Sequence, residues 1–402
     1  MTATVKFDGR PVWAEVSLGA LAHNLRLVRR YISPPSVRRG ASRRKILAVV
    51  KANAYGHGAV PVSRALARAG ADWFGVTCTA EGAELREASI RQPILLLAGF
   101  WPGEENHLIE YRLTPAITRC EQLRCLERAA ARSKFRRSAR GPRGAFGIHL
   151  KIDTGMNRLG ISHADVECFA RTLADCPHLR LEGTFTHFAS SEVFTAGQTE
   201  NQFMLFTGTL ERLRALGISP GIVHLANSAA VVARPDTWAD MVRPGAVLYG
   251  YHQFFDPPER KAEMEAKLPL KPALSLRARL ISVREVPAGQ GVGYNARFIT
   301  RRSSRIGVLA AGYADGLVRA LGNRGRVIIR GRFAPLVGAV SMDLAMVDVT
   351  ELEDVRVGDV ATLYGADGPA AQYASDVAHE LGTVTSELLC AVGRRVPRFY
   401  LP

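Results

Sequence analysis

Ile46-Leu-Ala-Val-Val-Lys-Ala-Asn-Ala-Tyr-Gly-His-Gly58 is the stretch from which the fold can be predicted. It begins with an unbroken apolar run that is rich in β-branched side chains. Such a run is typical of a strand buried on both faces, as in a parallel sheet, although a short buried helix gives the same pattern. Lys51 follows directly, where a strand would leave the core. An amine at the edge of an apolar interior loses hydration, which favours its neutral, nucleophilic form, whereas a solvated lysine at a strand end is the simpler interpretation of Lys51 alone.

Strand-like runs and amphipathic helical runs alternate on the C-terminal side of this stretch. Eight strands separated by helices are the pattern of a (β/α)8 barrel, although a doubly wound sheet gives a similar alternation. The strand candidates are 46–51, 73–77, 94–99, 114–117, 147–153, 181–188, 223–227 and 241–250. The helical candidates between them include 60–69, 80–88, 121–131, 164–175 and 199–216.

The pattern changes after Asp256-Pro-Pro258. A charged segment up to residue 267 is typical of a linker or a poorly packed helix, and from Ala273 onward glycine and proline separate short alternating runs. Short runs separated in this way predict a mostly β second domain, followed by helices at 374–381 and 386–392. The predicted fold class is α/β: an N-terminal (β/α)8 TIM-type barrel with a C-terminal mostly-β domain. The predicted parts are an N-terminal segment at 1–13, able to pack on the C-terminal domain, the barrel at 14–258 and the β domain at 259–402.

Composition and charge argue against several classes of protein. No apolar run approaches the roughly 18 residues of a membrane span, and the first residues lack the apolar region of a signal peptide. The six cysteines show no metal-binding or redox spacing, so we expect reduced thiols, no metal and a cytoplasmic location. The net charge of +16 raises nucleic acid as a partner, but few aromatic residues interleave with the arginine-rich runs at 38–45, 132–143 and 301–305. Solvated loops explain these runs better, so neither nucleic acid nor a membrane is an expected partner.

Polar residues collect at the predicted C-terminal ends of the barrel strands, where barrel enzymes carry their active sites. Ser228 also opens a short apolar helical run, and a helix N-terminus offers backbone N–H groups and a partial positive charge to a phosphate. A plain N-cap role for Ser228 would look the same in the sequence. These polar residues are Lys51, the run from Lys151 to Arg158, His187 and Asn227-Ser228 at the ends of strands one, five, six and seven, and Arg243-Pro-Gly245 where strand eight begins.

Taken in order, these motifs resemble the alanine racemase family over nearly the whole chain. The run that follows the first strand resembles the lysine motif with which that family holds pyridoxal 5'-phosphate (PLP). Each segment alone is weakly specific, whereas the full set is highly specific. The segments are Val50-Lys-Ala-Asn-Ala-Tyr-Gly-His-Gly58, His149-Leu-Lys-Ile-Asp-Thr-Gly-Met-Asn-Arg-Leu-Gly160, Thr186-His-Phe188, Ala226-Asn-Ser-Ala229, Gly312-Tyr-Ala-Asp-Gly316, Ser341-Met-Asp343 and Arg395-Val-Pro-Arg398.

The resemblance implies a PLP enzyme that interconverts L-alanine and D-alanine and supplies D-alanine for peptidoglycan. It also implies a homodimer in which each active site is shared between the two chains. Lys51 would hold the cofactor covalently and act as one acid/base, and Tyr313 of the partner chain would act as the other. Two groups are needed because racemisation removes the α-proton from one face of the substrate and returns it to the opposite face.

The resemblance assigns roles to further residues. Arg243 matches an arginine that faces the pyridine nitrogen and keeps it unprotonated, and His187 would link Arg243 to Tyr313. Lys151 matches a lysine that is often carbamylated in relatives, where its carbamate braces the arginine matching Arg158. The remaining cofactor contacts would be Tyr55, Asn227, Ser228 and Gly245, Arg158 would approach both cofactor and substrate, and Met342 and Asp343 of the second chain would frame the substrate carboxylate.

Ser386 departs from the family pattern, because most alanine racemases have a tyrosine at the matching position, beside the phosphate and the entry. A roomier site would let serine compete with alanine, so a racemase for serine or for several small amino acids is the nearest alternative. A PLP barrel decarboxylase would share the lysine motif, but such enzymes usually present an acid to the ring nitrogen. A non-enzymatic PLP carrier would end with the barrel. The second departure, the basic insertion at 132–143, creates no evident site.

Overall fold

The computed structural model describes residues 10–33, 43–133 and 145–402. These residues form two compact units: those within 21–54 and 59–271 make the barrel unit, and those within 10–20, 55–58 and 272–402 make the β unit. Most of the predicted N-terminal segment at 1–13 and most of the arginine-rich runs at 38–45 and 132–143 lie outside the described residues.

The barrel unit is built on eight parallel strands, so the predicted (β/α)8 barrel is confirmed. The strands follow one another in chain order, and the eighth pairs with the first through Met241↔Lys45 and Val242↔Ile46. Hydrogen bonds from Asp240 N to Val223 O (3.0 Å) and from Arg243 N to Ala226 O (2.9 Å) join the seventh and eighth strand segments and close the ring. The eight strands are Lys45–Val49, Trp73–Val76, Ile94–Leu96, Thr114–Ile117, Phe146–Asp153, Leu179–Phe185, Ile222–His224 and Met241–Val242, and Ile161–Ser162 pairs with the end of the fifth.

Helices lie between the barrel strands in the predicted order. The longer ones bury an apolar stripe; in Leu18–Ile32, for example, Leu21, Leu25 and Val28 are completely buried at helical spacing. Most strand residues are buried, which explains the apolar runs of the strands. The helices after Leu18–Ile32 are Ala59–Ala69, Thr79–Glu87, Glu105–Glu110, Cys120–Arg132, Val166–Ala174, Gln198–Ala215, Ser228–Ala233 and Arg260–Lys267.

The structure corrects the predicted strand at 241–250. Only Met241–Val242 is a strand, and Ala246–Tyr249 is a 3-10 helix. Pro244 lies between them and has no N–H group for a strand ladder, which explains why the apolar pattern overstated the strand. The sixth strand also ends at Phe185, two residues before His187. The charged segment after Asp256 forms the helix Arg260–Lys267, in which Met264 is the buried side chain.

The β unit contains a nine-stranded sheet, which confirms the predicted mostly-β second part. Leu274–Val286 is its longest strand and pairs with Val12–Ser17, Ser304–Leu309 and Val360–Asp367, so the sheet curls back on itself. The helices of this unit are Ala374–Leu381 and Thr385–Cys390. In sheet order the strands are Ala370–Gln372, Val360–Asp367, Arg326–Ile329, Arg332–Val337, Ala345–Asp348, Ser304–Leu309, Leu274–Val286, Val12–Ser17 and Arg398–Leu401, and a separate hairpin joins Gly291–Val292 to Phe298–Ile299.

Candidate functional site

Lys51 is followed by a left-handed helical turn. Ala52, Asn53 and Ala54 have φ values of 52°, 54° and 53° with ψ between 45° and 54°, and Tyr55 continues the turn at φ 52°. This conformation costs roughly 1–2 kcal/mol per residue for L-amino acids, so other contacts must stabilise it. The turn leaves Lys51 partly buried directly after the first barrel strand.

Two side chains of the barrel unit hold this turn. Glu81 accepts a hydrogen bond from Ala52 N at 2.7 Å, and the carboxylate also accepts from Thr77 N at 2.8 Å. Asn53 Oδ1 accepts from Ala59 N at 2.7 Å. These bonds fix the backbone that carries Lys51 and provide the stabilisation that the left-handed turn requires.

Arg243 is a buried cation at the end of the eighth strand, with 4% of its surface exposed. One terminal nitrogen donates to His224 O (2.8 Å) and His224 Nδ1 (3.0 Å). The other donates to Thr186 O (2.8 Å), Leu225 O (2.9 Å) and His187 Nδ1 (3.2 Å). No carboxylate among the described residues pairs with it. Burial lowers the pKa of the guanidinium to about 9, which leaves it charged at neutral pH.

The arginine fixes the tautomers of two histidines, because a guanidinium can only donate. The Nδ1 atoms of His224 and His187 must therefore accept, and each neutral ring carries its proton on Nε2. His224 Nε2 lies 2.9 Å from His149 Nδ1 and donates to it. Burial, with Arg243 as the next cause, lowers the pKa of His149 to about 3 and holds the pKa values of His187 and His224 well below 6.5. All three rings are neutral at neutral pH.

His149 and His224 were missed as site residues by sequence reasoning. Both are completely buried, on the fifth and seventh strands, and Gly183 of the sixth strand between them makes room for His149, since a Cβ there would lie 2.5 Å from its ring. Phe185 stacks on His224 with 4.7 Å between ring centroids. The signal in the sequence is a histidine within an apolar strand run. His149 is also the first residue of the His149–Gly160 motif.

Lys151 lies on the fifth strand near the same cation. Its Nζ donates to Leu97 O at 3.4 Å and lies 5.6 Å from the Phe185 ring centroid. Burial first, then the positive charges of Arg158 and Arg243, lowers the pKa of Lys151 to about 8. Arg158 is exposed at the end of the loop that follows, where Asp153 Oδ1 accepts the N–H groups of Gly155, Met156 and Asn157 at 2.9, 3.0 and 3.1 Å.

Asn227 caps the helix Ser228–Ala233, because its Oδ1 accepts from Ala230 N at 3.0 Å. Ser228 is therefore the first helical residue and not the N-cap. The Ser228 Oγ accepts from Gly245 N at 2.8 Å, which ties the loop after the eighth strand to this helix N-terminus. The predicted cofactor residues Asn227, Ser228 and Gly245 thus form one bonded cluster.

The β unit carries the other predicted residues. Tyr313 has 42% of its surface exposed, and Met342 has 53% exposed. The two segments are bonded through their backbones, from Tyr313 N to Ser341 O at 3.0 Å and from Ala314 N to Met342 O at 3.1 Å. Tyr55 also belongs to this unit, and burial raises its pKa to about 12. Ser386 is the second residue of the helix Thr385–Cys390 and is partly exposed.

The site residues thus fall into two sets. The barrel unit brings together Arg243, His187, Lys151 and the strand end at Lys51, and the β unit brings together Tyr313, Met342 and Asp343. Among the described residues, no group of three or more His, Cys, Asp or Glu side chains is arranged to hold a metal ion. No helix in the described part of the chain is long and apolar enough to cross a membrane.

A parallel eight-stranded barrel with a lysine after its first strand and a buried arginine after its last defines a barrel enzyme with its polar groups at the C-terminal strand ends. The sequence models of two domains match the chain: "Alanine racemase, N-terminal domain" at residues 16–253 and "Alanine racemase, C-terminal domain" at residues 273–400. The chain belongs to the alanine racemase family and is an isomerase. The resemblance inferred from the motifs is confirmed.

Relatives match over nearly their whole length. The alanine racemase of Geobacter sulfurreducens is 40% identical over 398 residues, which cover 98% of each chain. That of Halothermothrix orenii is 38% identical over 391 residues, or 97% of each chain. The crystal structure of the Bacillus anthracis enzyme with bound L-Ala-P superposes with a TM-score of 0.86 at 31% identity, covering 99% of this chain and 96% of that one. That of Bartonella henselae alanine racemase, with covalently bound pyridoxal phosphate, gives 0.82 at 28% identity, covering 98% and 100%.

Proposed function

We propose that this protein interconverts L-alanine and D-alanine with PLP as cofactor and with Lys51 and Tyr313 as its two acid/base groups. Family membership supports the reaction and the cofactor. The observation that carries the cofactor assignment is the surroundings of Arg243. The described residues occupy both terminal nitrogens of its guanidinium, and none accepts from its Nε–H, so one donor remains for a ring nitrogen.

The residues fit the cofactor in charge as well as in donors. Bound PLP withdraws electrons from the substrate α-carbon and so makes its proton acidic. A permanent cation at the ring nitrogen keeps that nitrogen unprotonated and weakens the withdrawal, which suits a reaction that must return the proton quickly. A PLP decarboxylase benefits from a carboxylic acid at the ring nitrogen. In the proposed site Arg243 takes that place, and no described carboxylate pairs with it. This difference favours the racemase over the PLP decarboxylase.

Lys51 and Tyr313 divide the proton transfers between two faces of the substrate. Lys51 would hold the cofactor covalently until the substrate amine displaces it, and its freed amine would then move the α-proton on one face. Tyr313 of the partner chain moves it on the other face. A phenol with an ordinary pKa near 10 is a poor base at neutral pH. His187 stabilises the phenolate form of Tyr313. The Nδ1 atom of His187 is occupied by Arg243, so its Nε2–H is left to donate to the phenolate oxygen.

The remaining assignments come from the family resemblance. Tyr55, Asn227, Ser228 and Gly245 contact the cofactor. Arg158 contacts cofactor and substrate, and Lys151, whose lowered pKa of about 8 gives it an appreciable neutral fraction for reaction with CO2, braces Arg158 when carbamylated. Met342 and Asp343 of the partner chain frame the substrate carboxylate. The enzyme is a cytoplasmic homodimer that supplies D-alanine for peptidoglycan.

A chiral assay tests the proposed reaction. Purified protein with added PLP is incubated with a panel of L-amino acids, and D-alanine is the expected main product. A visible absorbance band from the bound cofactor is expected in the wild type and not in Lys51→Ala. Release of CO2 without inversion would replace the racemase by a decarboxylase.

Ser386 bears on the second candidate function, a serine or broad small-amino-acid racemase. A side chain smaller than tyrosine leaves space for the serine hydroxymethyl group, so Ser386→Tyr is expected to lower kcat/KM for serine more than for alanine. One methylene or hydroxyl in a pocket is worth roughly 10–200-fold in discrimination. An unchanged ratio of the two kcat/KM values would show that Ser386 does not set this preference.

A further inference from the structure

Asp315 lies two residues after Tyr313 and is a completely buried carboxylate in the β unit. A buried charge is stable only when it is paired and hydrogen-bonded. Arg395 Nε donates to Asp315 Oδ1 at 2.8 Å, and Arg10 lies 3.4 Å from Oδ2. Gly312 N donates to the same Oδ2 at 3.0 Å, so the carboxylate also closes the turn that contains Tyr313.

The same two arginines reach the segment that contains Met342 and Asp343. Arg395 places its second nitrogen 2.8 Å from the Asp343 carboxylate, and Arg10 donates to the backbone oxygen of Asp343. Arg10 also lies 3.8 Å from the Asp343 carboxylate, so each arginine contacts two carboxylates, one buried at the Tyr313 turn and one partly exposed in the neighbouring segment. The hydrogen bond to Asp315 is the first cause of a raised pKa for Arg395, so this guanidinium keeps its charge.

The backbones of the two segments touch within this network. A Cβ on Gly312 would lie 2.3 Å from Ser341 O, so only glycine permits the approach. The approach allows Tyr313 N and Ala314 N to donate to the oxygens of Ser341 and Met342. Tyr313 remains 42% exposed, so packing constrains its ring only in part and this backbone contributes to its direction.

We propose that Asp315 is a positioning residue for Tyr313. Through Arg395 and Arg10 it locks the Tyr313 turn to the Ser341–Asp343 segment, so that the acid/base and the group that frames the substrate carboxylate keep one geometry. This inference rests on the proposed role of Tyr313. It gives a function to Gly312, Asp315 and Arg395, motif residues that the assignments above leave without one.

Hydrogen exchange of the backbone amides, measured without added substrate, tests whether Asp315 fixes the Tyr313 turn to the Ser341–Asp343 segment. In Asp315→Asn the side chain can still accept a hydrogen bond from Gly312 N. It carries no charge, so Arg10 and Arg395 lose their buried counter-charge. Exchange of the Tyr313 and Ala314 amides is expected to become faster by about tenfold or more, while the sheet strands keep their protection. Asp359→Asn is the matched control, because Asp359 is also an arginine-paired carboxylate of the β unit, 2.9 Å from Arg330. Equal exchange rates of the Tyr313 and Ala314 amides in wild type and Asp315→Asn would contradict the positioning role of Asp315.

Exchange of the substrate α-proton in deuterated solvent tests the consequence for catalysis. Asp315→Asn is expected to slow exchange from one enantiomer of alanine by at least about tenfold more than from the other, and this enantiomer is the one that Tyr313→Phe affects. Asp359→Asn should leave both rates unchanged. If Tyr313→Phe slows both enantiomers equally, the two-base proposal fails. If Tyr313→Phe is selective and Asp315→Asn is not, only the positioning role fails.

Variants of Arg395 keep the test decisive if Asp315→Asn does not fold. The Arg395 side chain is 38% exposed, so its replacement leaves a smaller buried defect. Arg395→Gln is expected to reproduce the enantiomer-selective loss, and Arg395→Lys, which keeps the charge, to restore part of it. Equal behaviour of the two variants, or a loss without selectivity, would contradict a positioning role.

Discussion

Arg243 holds its charge among three neutral histidines and backbone oxygens. Its terminal nitrogens fix the proton positions of His187 and His224 directly and that of His149 through His224. A single cation thereby determines the hydrogen-bonding capacity of histidines on three barrel strand segments. The network is rigid because any change of tautomer would leave a buried N–H or lone pair without its partner.

Acid pH is expected to weaken the barrel through these histidines. A histidine with a folded-state pKa below 6.5 binds fewer protons when folded than when unfolded, so its stabilising contribution is present above about pH 6.5 and is lost as the pH falls towards its folded-state value. For His149 that window extends from about 6.5 down to about 3. His149→Gln should reduce the pH dependence of the free energy of unfolding by up to about 1.4 kcal/mol per pH unit within the window. Urea unfolding at several pH values measures this slope, and an unchanged slope would contradict the assignment.

Tyr313→Phe should reduce turnover by about 10²–10⁴-fold, the usual scale for one acid/base group. Because Lys51 still serves the other face, α-proton exchange from one enantiomer should be relatively spared. Comparison of deuterium incorporation from L-alanine and D-alanine measures the effect. Small and equal losses for the two enantiomers would argue against Tyr313 as a base.

The left-handed turn after Lys51 carries the proposed cofactor lysine but has a backbone conformation that its residues disfavour. Four consecutive non-glycine residues adopt positive φ, against the preference of L-amino acids. Glu81 compensates by accepting from the turn at Ala52 and from Thr77. The stability of the turn is therefore supplied by a neighbouring helix.

Glu81→Ala should lower the free energy of unfolding by about 2 kcal/mol or more, since it removes hydrogen bonds to a charged acceptor. It should also lower kcat, because the backbone that carries Lys51 loses its support. Glu84→Ala on the same helix is the matched control, because Glu84 is exposed. Chemical denaturation and steady-state kinetics measure both effects. Equal stabilities of the two variants would mean that the turn does not depend on Glu81.

The elements differ in how far the sequence predicted them. Most of the barrel strands were predictable because they are short apolar runs with polar residues close behind, as in Lys45–Val49 with Lys51 beyond it, whereas the eighth is much shorter than its apolar pattern suggests. The turn at Ala52–Tyr55 was not, because alanine and tyrosine carry no signal for positive φ. The contact between His149 and His224 depends on strand pairing across the barrel, which periodicity does not contain. The roles of Lys51 and Tyr313 came from the family resemblance and stay predictions.

At the scale of the whole molecule, the two proposed acid/base groups lie in different compact units of one chain. Lys51 belongs to the barrel unit and Tyr313 to the β unit. The proposed homodimer would combine the barrel unit of one chain with the β unit of another at each site. Each site would then depend on two chains, which can be tested by mixing variants.

Coexpression of Lys51→Ala chains with Tyr313→Phe chains should restore activity. A mixed dimer would contain one site with both substitutions and one intact site, so random pairing predicts about a quarter of the wild-type activity. Coexpression of Lys51→Ala with the double variant is the control and should restore none. Activity of the mixture no higher than the sum of its parts would show that Lys51 and Tyr313 of the same chain work together.

The strand Val12–Ser17 has a consequence for how the protein is made. It pairs with Leu274–Val286 on one side and with Arg398–Leu401 on the other, while the barrel unit lies between residues 21 and 271 in the chain. During synthesis the first strand of the β unit leaves the ribosome long before either of its neighbours exists. We expect the barrel to fold first and the Val12–Ser17 strand to stay unpaired, exposed to chaperones, until residues 274–286 emerge, and its second edge to stay open until residues 398–401 emerge.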